Sequence, residues 1–257
     1  MKKTILFTLL VLLALPAAAG TVSVDESRKA DSDADITIEL IAGEVRIVGW
    51  SRNEVRVQGT INDRWETLEV DGDSGDISIE IMPPDGSHRN VKLEADLKIS
   101  VPAGAEISFE SVSAPLIVED LKGSLSVESV SGNIKVSGTL EELSIESISA
   151  VVDLDIGATD SVEIETVSGK IDVRGDLRPD SDYSISAVSG VITLYVPSGA
   201  SADYEIETFS GSIDNDFGPK PKKADFLPSK SLSFSVGSGS ADVEISAVSG
   251  TIRLKAD

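Results

Sequence analysis

Residues 125–136 read LSVESVSGNIKV: a strand-like run, a Val-Ser-Gly corner, then a second strand-like run. The phrase returns as ISFESVSAPLIV from Ile107, LSIESISAVVDL from Leu143, VEIETVSGKIDV from Val162, YSISAVSGVITL from Tyr183, YEIETFSGSIDN from Tyr204 and VEISAVSGTIRL from Val243. The corner serines are Ser113, Ser131, Ser149, Ser168, Ser189, Ser210 and Ser249, spaced by 18, 18, 19, 21, 21 and 39 residues. A looser eighth copy, ITIELIAGEVRI from Ile36, carries Ala42 in the serine's place. A period near 20 residues marks units that cannot bury an apolar face alone and must stack on one another. The expected fold is all-β: a β-solenoid with a repeat of about 18–21 residues.

Within one copy, Leu125 and Val127 are expected to point inward, Ser126 and Glu128 outward. After the corner, Ile134 and Val136 point inward and Lys135 outward. Stacked in chain order, Val112, Val130, Ile148, Val167, Val188, Phe209 and Val248 form one column, read here as interior, so Val130→Asp would bury an unpaired charge. The corner serines form a second column, their hydroxyls bonding to neighbouring corner backbone while the following glycine supplies positive φ. The 39-residue gap before Ser249 reads as two coils, one without a serine corner. About eleven coils, at about 4.8 Å each, would make a rod of about 50 Å.

Composition agrees with stacked strands. The chain is 40% hydrophobic but only 4% aromatic, so its core must be built from Val, Ile and Leu, which pack well on a pleated surface. Residues 1–19 read as a signal peptide: Lys2 and Lys3, an apolar run from Ile5 to Leu15, then Pro16-Ala17-Ala18-Ala19, with cleavage between Ala19 and Gly20. Residues 20–257 read as a single solenoid domain, with irregular coils at 35–95, regular coils at 96–257 and a loop at 216–230. The expected location is the periplasm, or the cell surface after secretion. No other apolar run is long enough to span a bilayer, and with no Cys there is neither a disulfide nor a lipid-anchoring cysteine. Net charge is −22 for the whole chain and −24 without the two leader lysines, which makes nucleic acid and anionic lipid poor partners.

Val101-Pro102-Ala103-Gly104-Ala105 is echoed by Val196-Pro197-Ser198-Gly199-Ala200, each closing one strand and turning into the next unit. This lead-in, the repeated corner and the ending ETFSGSIDNDFGPKPKKA…KSLSFSVGSGSADVEISAVSG are similar to the putative-adhesin β-strand-repeat family, a toast-rack-like group of envelope β-solenoids of uncharacterised function. The resemblance covers residues 35–257. It implies a right-handed, single-stranded β-helix engaged in surface adhesion or envelope stress, and it carries over no catalytic residue.

Four acids, Glu110, Glu128, Glu146 and Glu165, recur at one outward position, followed by Ser186, Glu207 and Ser246. A row of carboxylates about 5 Å apart is mildly repulsive, and solvent or a weakly held Ca2+ would relieve it. Asp71-Gly72-Asp73-Ser74-Gly75-Asp76 resembles a calcium loop but lacks the twelfth-position Glu, Met82 standing there, and reads as a tight turn. His88 is the only histidine and sits in a polar loop with no nucleophile elbow nearby. A glycan-cleaving β-helix would need a carboxylate pair beside a sugar platform, and Trp50, Trp65, Tyr183, Tyr195 and Tyr204 form no such cluster in sequence. The one basic island, Lys220, Lys222, Lys223 and Lys230, is a candidate partner-docking loop. The chain thus reads as a non-catalytic, exported interaction or scaffold module without a cofactor, whose partner is an envelope protein or surface glycan. A membrane-protein-binding stress sensor and a glycan-active enzyme are the alternatives. The chain would be monomeric, or self-associating if its coil ends are bare.

Overall fold

The computed structural model describes residues 20–62, 67–83, 95–224 and 227–257; the leader, Trp65 and His88 lie outside the described residues. Sixteen strands follow one another: β1 (Thr21–Lys29), β2 (Asp35–Trp50), β3 (Glu54–Asn62), β4 (Thr67–Gly72), β5 (Asp76–Met82), β6 (Ala95–Pro102), β7 (Glu106–Ser113) and β8 (Leu116–Leu121), then β9 (Leu125–Gly138), β10 (Glu142–Ile156), β11 (Ser161–Gly175), β12 (Asp182–Val196), β13 (Ala202–Asn215), β14 (Lys222–Lys223), β15 (Lys230–Val236) and β16 (Asp242–Ala256). No helix occurs among the described residues, and none there is long and apolar enough to cross a membrane.

Each regular repeat is one long strand bent at its corner into two halves. Parallel pairing joins equivalent halves in register: Ile145 of β10 faces Val127 of β9 and Ile164 of β11, and Val152 faces Ile134 and Ile171. Both sets are buried, with Phe109, Val127, Ile145, Ile164, Ile171 and Val152 each at most 1% exposed. Branched aliphatic side chains repeat at every level, so rows of like shape interlock along the stack. Phe109 apart, the aromatic core residues lie toward the β13 end, where Tyr204 stacks on Phe234 with ring centroids 4.9 Å apart.

The order of levels departs from the order of the chain. The parallel stack runs β5/β6, β2, β7/β8, β9, β10, β11, β12, β16, β13, which is nine levels among the described residues rather than about eleven coils. The looser copy in β2 lies directly beneath β7, Ile36 facing Ile107 and Ala42 facing Ser113. At the other end the final copy, β16, inserts between β12 and β13, pairing Ser249 with Ser189 on one side and Ser210 on the other. Lys255 ties this insertion to β13 through Asp214 at 2.8 Å and Asp216 at 3.1 Å. The 39-residue spacing is therefore not two coils: β15 folds back antiparallel on β13, Phe234 facing Tyr204.

Antiparallel strands cover both ends of the parallel stack. β4 pairs with β5, and β3 followed by β1 pairs with β6. At the far end β15 and then β14 flank β13. The coil ends are thus not bare parallel edges, which are templates for association. The lead-in turns match each other as read: the amide of Ala105 donates to Pro102 O, and that of Ala200 to Pro197 O. Asp71–Asp76 is the tight β4–β5 turn, Asp73 Oδ1 accepting from the amides of Gly75 (2.9 Å) and Asp76 (3.3 Å).

Candidate functional site

The corner decides where side chains go. The ladder pairs Ser129 with Ser147 and Ser131 with Ser149 but leaves out Val130 and Ile148. Gly132, one residue past the corner serine, has φ of 146°, and a Cβ there would stand 2.6 Å from Ala114 O, so only glycine fits. Ser131 Oγ donates to Val112 O at 3.3 Å and Ser168 Oγ to Ile148 O at 3.4 Å, so two of the seven corner serines make the expected bond to neighbouring corner backbone. Through this bend the inward set changes from odd positions (Leu125, Val127, Ser129) to even ones (Ile134, Val136). Val130 precedes the change and keeps the outward sense of Glu128.

The interior assignment of that column is therefore overturned. Val112, Val130, Ile148, Val167, Val188, Val248 and Phe209, in stack order, are 44–54% exposed. Val130→Asp buries no charge. The column is instead an apolar stripe on the outside of the molecule, running across the strands.

Beside it stands the acidic row. Register places Glu80, Glu39, Glu110, Glu128, Glu146 and Glu165 on six successive levels, then Ser186, Ser246 and Glu207. The predicted run Glu110–Glu165 is thus real as a row and is extended by two glutamates from the irregular coils. Among the described residues no cation pairs with any of these carboxylates, although Glu80 accepts a 3.2 Å bond from Ser78 Oγ. Nor does any group of three or more His, Asp or Glu among them have a metal-holding arrangement. Charge pairing is spent elsewhere. Arg46 forks onto Glu119 at 2.7 and 2.9 Å. Arg56 forks onto Asp25 at 2.8 Å, and that hydrogen-bonded guanidinium holds the Asp25 carboxyl below its usual range.

Together these rows line a groove of about 1160 Å³ along the stack. Each regular level contributes three consecutive residues, such as Glu128-Ser129-Val130 or Glu165-Thr166-Val167. The middle residue is small or hydroxylated: Ser129 Oγ donates to Ser131 O and Thr166 Oγ1 to Ser168 O, both at 3.1 Å, whereas the buried Ser147 Oγ and Thr208 Oγ1 have no hydrogen-bond partner among the described residues. Met82 lies at the end near β2, and Lys222, Lys223 and Lys230 at the end near β13. Lys230 Nζ donates to Gly211 O, anchoring β15 at the groove's mouth. Three of the four lysines of the basic island thus reach the groove, and Lys220 does not line it. Sequence reasoning found both rows and the island but not that they border one channel.

Among the described residues the aromatic side chains do not assemble a sugar platform. Tyr183 and Tyr204 are core residues at 0% and 1% exposure, and burial pushes both hydroxyls up to about 12. Tyr195 lies under Arg174, and Trp50 under Arg52, on separate parts of the surface.

Residues 17–255 match the family model Toastrack DUF4097. No curated protein matches the chain. Among solved structures, a putative adhesin from Bacteroides fragilis is similar at 11% identity and a TM-score of 0.45, covering 91% of this chain and 97% of that one. A putative cell adhesion protein from Clostridium sporogenes has 14% identity and a TM-score of 0.39 over 92% and 100% of the two chains. A putative lipid binding protein from Parabacteroides distasonis has 13% identity and a TM-score of 0.35 over 92% and 97%.

Proposed function

The chain belongs to the Toastrack DUF4097 family, and we propose that it is a non-catalytic, adhesin-like interaction module of the cell envelope that holds its partner along the groove. The observation that carries this reading is the apolar stripe. Seven large aliphatic or aromatic side chains stay about half exposed in line, while neighbouring outward positions on the same strands are mostly Glu, Asp, Lys and Ser. A contiguous exposed apolar patch with a polar rim is the mark of an interaction surface, since it costs solubility unless something covers it. The leader-like residues 1–19 support export to the envelope. A rigid stack suits presentation of such a surface, because each level fixes the spacing of the next.

The test is retention from solubilised cell envelope by residues 20–257 and by the Ile148→Asp variant, in high salt. A partner held by the wild type and lost by a normally folded variant supports the groove as the contact surface. Equal retention by both would overturn it.

A further inference from the structure

We propose that the groove is built for a cationic amphipathic α-helix of about 22 residues, lying along the stack with its N-terminus at the β2 end. This deepens the interaction-module reading and rests on it. Four observations converge. First, the ladders run across the groove and tie the residues on either side of each stripe position to the levels above and below, while the stripe carbonyls of Val112 and Ile148 accept from Ser131 Oγ and Ser168 Oγ, so the floor presents no row of edge amides and carbonyls. An occupant must satisfy its own backbone groups, which a helix does and an extended chain does not.

Second, the length fits. From β2 to β13 there are eight levels, hence about 34 Å at 4.8 Å per step, and a helix covers that in about 22 residues at 1.5 Å each. Its apolar face would bury the stripe centred on Val130, Ile148 and Val167, one turn of 5.4 Å meeting roughly one level.

Third, the charge is one-sided and unmet. Glu39, Glu110, Glu128, Glu146 and Glu165 flank the stripe without a cation among the described residues. Lys or Arg along one edge of the helix's apolar face would neutralise them.

Fourth, the groove carries a charge gradient along its axis. Glutamates occupy the β2-to-β11 levels, serines follow at Ser186 and Ser246, and at the β13 end the single Glu207 is outnumbered by Lys222, Lys223 and Lys230. A helix macrodipole is positive at its N-terminus and negative at its C-terminus. It aligns with this gradient in one direction only, C-terminal carbonyls toward the lysines.

The experiment uses fluorescein-labelled 22-residue peptides of leucine and lysine with one apolar face, titrated with residues 20–257. One peptide carries its lysines in the first fourteen residues, a second in the last fourteen, and a third is a scramble. Binding is read by anisotropy, helicity by circular dichroism. The expected result is one-to-one binding of the first peptide with a gain in helicity, and several-fold weaker binding of the reversed one. The variant V130S/I148S/V167S should weaken it at least tenfold, and E128Q/E146Q/E165Q should flatten its salt dependence. Both alter exposed residues; if the first melts early, Ile148→Ser alone replaces it. Binding without helicity, equal binding of the scramble, or indifference to both variants overturns the helix. So does palmitate occupying the stripe in preference to the peptide, or sedimentation showing two copies joined through it. If the envelope partner still depends on Ile148 while the helical peptide fails to bind, the groove reading stands and the helical occupant falls. If neither depends on the stripe, both fall.

Discussion

Val127 and Val130 are three residues apart in one strand, identical in type, and repeated at the other regular levels by aliphatics or, once in each column, by Phe109 and Phe209. Val127 is 1% exposed and Val130 is 44% exposed. The first column, Phe109 to Ile206, is the reason the stack holds together. The second, Val112 to Phe209, stays about half exposed at every one of its positions. What separates them is parity: Val127 shares its side of the strand with Leu125, Val130 with Glu128, and the chain does not change sides until the serine-glycine corner that follows. Aliphatic identity alone therefore does not mark the core of this molecule, and the outer column repeats its apolar character level after level while half exposed.

The comparison is most easily broken by charge. Val127→Asp should destabilise by about 4 kcal/mol or more, since it places a carboxylate inside a dry aliphatic row; urea unfolding followed by circular dichroism measures it. A loss under about 1 kcal/mol would mean that the column is not core. Truncation comes next. Ile145→Ala should cost about 2–5 kcal/mol as a cavity in that row, whereas Ile148→Ala, three residues on and 54% exposed, should stay within about 0.5 kcal/mol. Similar midpoints for the pair would contradict the two-column picture.

Alkaline pH gives a smaller, graded effect. Tyr183 and Tyr204 are raised to about 12 by burial, while in the unfolded chain they ionise near 10. Above pH 10 the unfolded state releases protons that the folded state keeps. Their contribution is thus full below pH 10 and is lost as pH rises toward 12. Tyr204→Phe should shallow the fall in unfolding midpoint over that window; an unchanged slope would count against its burial. The smallest effect should be that of Val130→Asp on stability, within about 0.5 kcal/mol.

Much of the fold was legible because it is periodic. The copies, their corner serines and the membership of each column follow from spacing near 20 residues, and the register bears out every one, including Ala42 opposite Ser113. Their order was not legible. The link from β12 to β13 passes over an intervening level, yet Tyr183 and Tyr204 are 21 residues apart, the same as Val162 and Tyr183, which sit on adjacent levels. Spacing cannot register a skipped level when the connections are long enough for either path. The complementary charges of Lys255 with Asp214 and Asp216 were a signal, but only once the two strands are known to be neighbours.

The candidate site divides the same way. The glutamate row was legible from Ile107 onward, and the looser copy from Ile36 sets Glu39 in the same place, while Glu80 joins it through a stacking of irregular coils that no local pattern announces. The lysine island was visible as composition, and its place at the mouth of the groove depends on β15 folding back on β13. The outward column is obscured for a simpler reason: valine and isoleucine have the residue type of a core, and only alternation from Glu128 fixes which side Val130 takes.

The chain contains no cysteine, which makes one measurement decisive. Val127→Cys and Val130→Cys, each a single small change in otherwise native protein, are exposed to a maleimide under folding conditions and the labelling rates compared. The two-column account predicts that the thiol at 130 reacts at close to the rate of a free thiol, while the thiol at 127 waits on unfolding and lags by orders of magnitude. Equal rates, or protection at 130, would contradict it and remove the apolar stripe on which the groove depends.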